Sequence, residues 1–208
     1  IMKLKLSSKA QTLEDLAGII TSANVLPLIR FYAKEYFEKK EAILSSCIDR
    51  FDTDLIVRSS SSNEDNEFTS NAGGFDSVAN VKLDTDALDD AVQKVIKSYG
   101  DNVSVDDEVL IQPMLGNVTM SGVIFASDID VLTPYYIINY DESGSTSSVT
   151  NGDKANLKTF VSFKKLNHSE NKYIDKLLTA SKECEDIFEN IFLNNPIKLT
   201  AKPKYKFL

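Results

Sequence analysis

The chain has 208 residues, 31 acidic against 23 basic side chains, a formal net charge of −8 and a hydrophobic share of 42%. That length supports one large domain or two small lobes with a real core, and the composition excludes a disordered chain. The acidic balance supplies no overall positive field, which argues against a nucleic acid or an anionic membrane as partner while leaving room for a local basic pocket.

The opening, IMKLKLSSKAQTLEDL, lacks the continuous apolar core of a secretory signal, and no run reaches the roughly 20 apolar residues of a membrane span, so a cytoplasmic location is expected. TLEDLAGII spaces Leu13, Leu16, Ala17 and Ile20 about one helical turn apart and predicts a helix capped by Thr12. ANVLPLIRF, short, apolar and interrupted by Pro27, is either extended or the entry to a helix. IRFYAKEYFEKKEAILSSCI reads as an amphipathic helix rich in strong helix formers. DLIVRSS reads as a strand ending at Arg58, followed by a polar loop from Ser59 to Gly74 and a further strand, FDSVANV. DTDALDDAVQKVIKSYG is a helix, capped by Asp84 or Thr85 and stopped by Gly100, with Leu88, Val92 and Val95 or Ile96 toward the core.

EVLIQPML and SGVIFAS read as two paired strands joined by the polar link GNVTM. PYYIINYD and KTFVSFKKL are strands flanking the small-residue loop GSTSSVTNGDKANL, and KYIDKLLTASKECEDIFENIF is a long amphipathic helix. His168, the one histidine, lies in the polar stretch KKLNHSENKY, which argues against a catalytic triad or a histidine-rich metal site. Cys47 and Cys184 have no metal-ligand spacing and are expected to be reduced, partly buried thiols. The last stretch, PIKLTAKPKYKFL, is basic and aperiodic. Mixed helices and antiparallel-looking strands make an α+β (mixed α/β) body in two lobes the expected class.

The stretch LIVRSSSSNEDNEFTSNAGGFDSV concentrates an arginine, hydroxyls, an acidic pair and a double glycine in one segment. Arg58 at a strand end offers a rigid fork of donors to phosphate oxygens, and a loop hinged at Gly73 and Gly74 could close backbone N–H groups over them. An ordinary surface loop, with Arg58 paired to Glu64 or Asp65, accounts for the same residues. The lysine of a Walker loop is absent from it.

VRSSSSNED…SNAGGFDSV resembles the signature of the phosphoenolpyruvate synthase and pyruvate phosphate dikinase family, V-R-S-S-A-x-x-E-D followed by S-x-A-G-x-x-(D/E)-(T/S). VLIQPMLGNVTMSGVIFASD is similar to that family's V-x-V-Q-x-M…S-G-V-x-F-(T/S)-x-D segment, AVQKVIKSY to its intervening helix, and SSKAQTLEDL more weakly to its opening G-G-K-x-x-x-L. The resemblance covers about residues 9 to 152 and implies a two-lobed ATP-grasp domain that binds ATP and Mg²⁺. It implies a first lobe over residues 1–108, a second over 109–195 after the hinge strand, and residues 196–208 as a tail or a remnant beyond missing residues, leaving the domain incomplete at its C-terminal end. Carried over by position, Lys9 meets the nucleotide phosphates, with serines here where the family has two glycines. Arg58 is the main cation on the transferred phosphoryl group. Gly73, Gly74 and Ser77 form the lid, Gln112 and Met114 lie against adenine, and Glu64 and Asp65 orient Arg58.

The family's acidic magnesium strand, D-I-E-(W/F)-A, and its later Q-x-R-P-x do not occur in this sequence, so the metal ligands are not assigned and the chain alone is expected to be inactive. The implied partners are the nucleotide, a swivelling phosphohistidine domain and an acceptor-substrate domain. TPYYIINYDESGSTSSVTNGD looks most like the branch that includes the glutamine kinase of capsular phosphoramidate synthesis. The expected activity is therefore ATP cleavage to AMP and phosphate through a phosphohistidine, with glutamine as acceptor. A synthase or dikinase acting on pyruvate, and a non-catalytic nucleotide-binding module, are the alternatives.

Overall fold

The structure, a computed structural model, describes residues 8–61, 77–101, 103–126, 134–144, 157–166 and 168–194, without the side chains of 188–194. The loop holding Glu64, Asp65, Gly73 and Gly74, the small-residue loop 145–156 and the tail 196–208 lie outside the described residues. The elements run α1 (Lys9–Leu16), β1 (Ile29–Tyr32), a 3-10 turn (Ala33–Glu35), α2 (Tyr36–Arg50), β2 (Leu55–Ser60), β3 (Ser77–Val81) and α3 (Thr85–Ser98). They continue with β4 (Glu108–Pro113), β5 (Ser121–Phe125), β6 (Tyr135–Asp141), β7 (Lys158–Phe163) and α4 (Lys172–Asn194). Helices beside antiparallel sheets make the fold α+β.

The chain divides into two units. One holds α1 up to Ile19 together with Val25–Leu115; the other holds Ile20–Asn24 and everything from Gly116 onward. The division falls after Leu115 and not at 108, because the hydrogen bonds of β4 go to β1 and β2. In the first unit four antiparallel strands lie in the order β1-β4-β2-β3. Leu55, Val57, Val109, Ile111 and Phe31 project from one face into a core closed by α2 and α3. Helix α3 follows its sequence pattern. Leu88, Val92, Val95 and Ile96 are buried, Asp84 Oδ1 accepts the Ala87 N–H at 2.8 Å, and Gly100 leaves the helix at φ 77°.

Three expectations are corrected here. IRFY is a strand and not the start of a helix: Ile29 pairs with Ile111 and Tyr32 with Glu108, and the alternation puts Phe31 in the core while Arg30 faces away. Helix α1 begins at Lys9, with Ser8 as its cap; Thr12, the expected cap, sits inside it and donates its N–H to the Ser8 carbonyl at 2.9 Å. Strands β4 and β5 do not form a hairpin, since β4 is central in one sheet and β5 belongs to another. Strand β3 carries a bulge: Leu55 pairs with Val81 but Val57 with Val78, and the extra residue is accommodated by Asn80 at φ 56°.

The second unit is a three-stranded antiparallel sheet, β5-β6-β7, with α4 on one face. Ile174 and Leu178 of α4 pack against Ile124, Tyr136 and Ile138. Gly122 lets β5 and β6 approach; a Cβ there would lie 2.5 Å from the Asn139 carbonyl oxygen. Within this unit Glu183 of α4 accepts hydrogen bonds from the N–H groups of Thr21 and Ser22, each at 2.8 Å, and from both hydroxyls. Cys47 and Cys184 are free thiols, both buried, one in each unit's core. Among the described residues no helix is long and apolar enough to cross a membrane.

Candidate functional site

The face of the β1-β4-β2-β3 sheet turned away from the core is set by strand alternation. With Leu55 and Val57 in the core, Ile56, Arg58 and Ser60 project to the opposite side. With Val109 and Ile111 in the core, Glu108, Leu110 and Gln112 project there from β4. The register places Ile56 opposite Gln112, Arg58 opposite Leu110 and Ser60 opposite Glu108. On the other side of β2, Ser77 stands opposite Arg58. Arg58 is half-buried and Ser77 exposed.

Helix α1 is seated on this same face. Ala10, Leu13 and Leu28 cluster on Leu110, so the helix covers the position directly across from Arg58. Polar contacts fix its first turn. Ser8 Oγ accepts the Gln11 N–H at 3.2 Å and donates its own proton to the Glu108 carboxylate. The Ala10 N–H reaches across to Ser60 Oγ at 3.0 Å. Arg30 Nη1 lies 2.6 Å from Glu108 Oε1, and Arg30 Nε 2.7 Å from Glu14 Oε2, which gives the buried Glu108 carboxylate a cationic partner. Burial works against the charge on Arg30, but the bonds to Glu14 and the negative field of Glu108 outweigh it and move its pKa above the usual value.

Arg58, Ser77 and Gln112 therefore share one face on three neighbouring strands, and the helix seated on that face begins at Lys9. Gln112 is buried, and Met114 follows the end of β4, its N–H held by the Asp54 carbonyl at 2.8 Å. Gly73 and Gly74 lie outside the described residues, as do Glu64 and Asp65. Among the described residues no group of three His, Cys, Asp or Glu side chains could hold a metal ion. His168 lies well away in sequence, solvent-exposed, with Nδ1 2.9 Å from Asp175 Oδ1.

No protein-family model and no curated protein matches the chain. Among solved structures it is similar to PH1788 from Pyrococcus horikoshii at 14% identity and a TM-score of 0.43, over 86% of this chain and 76% of that one.

The serine cluster that follows Arg58 has a different use from the one its hydroxyls suggest. Ser60 Oγ holds α1, and Ser61 Oγ donates to Asp107 Oδ1 at 2.6 Å. Ser59, Ser60 and Ser61 are all buried. Two further residues of the face carry no sequence signal of their own. Glu108 and Arg30 gain their meaning only from a strand pairing between residues far apart in the chain.

Proposed function

We propose that this chain binds ATP on the outer face of the first sheet and forms the nucleotide-binding part of a dikinase-type phosphotransferase with an ATP-grasp fold. The observation that carries the reading is the common sheet face of Arg58, Ser77 and Gln112, on which the helix beginning at Lys9 is seated. An arginine beside an exposed hydroxyl, with a lysine at the start of the helix seated on the same face, suits a polyphosphate. Arginine is the better partner for a transferred phosphoryl group, because charge spreads over several oxygens and its fork meets more than one of them. Gln112 offers an amide that can both donate and accept, as recognition of a purine edge requires. The sequence resemblance supports glutamine as acceptor, through a phosphohistidine on a separate domain, with AMP and phosphate as the other products. Mg²⁺ would come with the nucleotide, carried by its phosphates.

Calorimetric titration of the chain with ATP and magnesium chloride tests the binding. Saturable 1:1 binding is expected, weakened about tenfold or more in Lys9→Ala and in Arg58→Ala, as loss of a charge-assisted contact implies. Absence of binding overturns the reading. With a phosphohistidine domain and both glutamine and pyruvate supplied, phosphorus NMR identifies the acceptor: an N-linked phosphoryl signal with AMP supports glutamine, and phosphoenolpyruvate with AMP replaces it by pyruvate. In that assembled system Arg58→Ala is expected to lower turnover more than ATP affinity.

A further inference from the structure

We infer that Ser60 and Glu108 are positioning residues that couple Lys9 to Arg58, an inference that rests on the nucleotide-binding reading of this face. The first turn of any helix leaves N–H groups without intrahelical acceptors, and a cap usually satisfies one of them. In α1 the cap, Ser8, takes the Gln11 N–H. The Ala10 N–H, immediately after Lys9, is satisfied across the sheet by Ser60 Oγ at 3.0 Å. Ser60 lies two residues beyond Arg58 on the same strand and the same face. A single hydroxyl thus ties the backbone beside one cation to the strand that carries the other.

The second tie is Glu108, directly opposite Ser60 in the β2–β4 register. One oxygen of its carboxylate accepts the proton of the cap hydroxyl and the other is paired with Arg30. Tyr99 locks the two positions together: its hydroxyl accepts the Ser60 N–H at 2.9 Å and donates to the Glu108 carbonyl at 2.5 Å. The cap, the second helical N–H and the end of β2 are therefore held in one network, most of it buried. The Ser60 hydroxyl is buried and taken up by the Ala10 N–H. Its effect on nucleotide binding runs through the placement of Lys9.

The test is a thermodynamic cycle on the 208-residue chain, with ATP and magnesium chloride as the probe. Ser60→Ala is expected to weaken ATP binding about fivefold to tenfold in the wild-type background, and less than about twofold in a Lys9→Ala background. Glu108→Gln, close in shape, is expected to behave alike. Amide exchange gives a readout independent of ligand: the Ala10 N–H is expected to exchange about tenfold faster in Ser60→Ala, while the α3 amides keep their rates. Equal weakening in both backgrounds would make Ser60 a merely structural residue and overturn the coupling, with ATP binding itself intact. Unchanged Ala10 exchange overturns it as well. If Lys9→Ala and Arg58→Ala each leave ATP affinity unchanged, the nucleotide reading fails first and the inference with it.

Discussion

Replacing Gly122 by alanine should damage the second unit and leave the first untouched. The added Cβ would sit 2.5 Å from the Asn139 carbonyl oxygen and 3.1 Å from both Cα and Cβ of Tyr140. An ordinary carbon–oxygen contact is about 3.3–3.6 Å, so the shortfall approaches 1 Å, and two of the three obstacles are backbone atoms. They move only if β5 and β6 separate, which loosens the ladder from Ser121–Asp141 to Phe125–Ile137. Overpacking of this kind costs about 1–3 kcal/mol. Losing glycine's extra freedom in the unfolded chain opposes this by about 0.4–1 kcal/mol. The clash therefore wins, with a net loss on the order of 1–2 kcal/mol, or a fall in Tm of about 4–8 °C per kcal/mol for a unit of this size. The sequence contains no tryptophan, so tyrosine near-ultraviolet circular dichroism with hydrogen-exchange mass spectrometry is the suitable assay. Faster exchange is expected in peptides covering 121–141 and none in those covering 108–113. An unchanged midpoint, or exchange enhanced in the first unit, would refute the close approach described for Gly122.

Glu183 gives a prediction in acid. The hydroxyl and N–H of Ser22, followed by those of Thr21, hold its carboxyl down to about 2 from the usual 4.5. A depressed carboxyl stabilises the fold at pH above its unfolded value and loses that contribution as pH falls through the folded one. The hold on Thr21 and Ser22 should thus be complete above about 4.5, fade toward 2, and lose its pH dependence in Glu183→Gln; NMR exchange of the two amides against pH measures it. Burial pushes both thiols up to about 12. A disulfide reagent at pH 8 should leave Cys47 and Cys184 unmodified in the native chain and label both after denaturation; stoichiometric native labelling of either would contradict their burial. Asp84→Ala should cost about 0.5–2 kcal/mol of first-unit stability by removing the α3 cap, read from urea midpoints.

Local signals were legible where one element carries its own instructions. Helix α3 shows this best, since its core stripe, its capping aspartate and its terminating glycine all lie within one continuous segment. Strand β1 failed for the opposite reason. Ile29, Phe31 and Tyr32 favour a strand, but the segment runs directly into a stretch of strong helix formers, and β4, which supplies its hydrogen-bond partners, lies far along the chain. The same holds for β4 and β5, whose adjacency in sequence suggested a hairpin while their pairings lie elsewhere. At the candidate site, Arg58 stands out by its place at a strand end, whereas Lys9, Ser77 and Gln112 were singled out only through the family resemblance. The common face of Arg58, Ser77 and Gln112 depends on register, which no local pattern encodes. The roles of Ser60 and Ser61 have no local signal either, because a hydroxyl suits a phosphate, a backbone amide or a carboxylate equally well.

The placement of β4 also fixes the order in which a growing chain can complete its parts. Strand β1 leaves the ribosome before β2, β3 and α3, yet the partner it needs is β4, the last strand of the first unit to be made. At typical elongation rates the wait from Tyr32 to Glu108 is roughly 4–15 s. During that interval α2, β2, β3 and α3 can already associate, while α1 has neither Leu110 to sit on nor Glu108 to hold its cap. The sheet face that bears Arg58 is therefore finished by the arrival of a single central strand. Ile20–Asn24 waits longer still, until Glu183 has been synthesised.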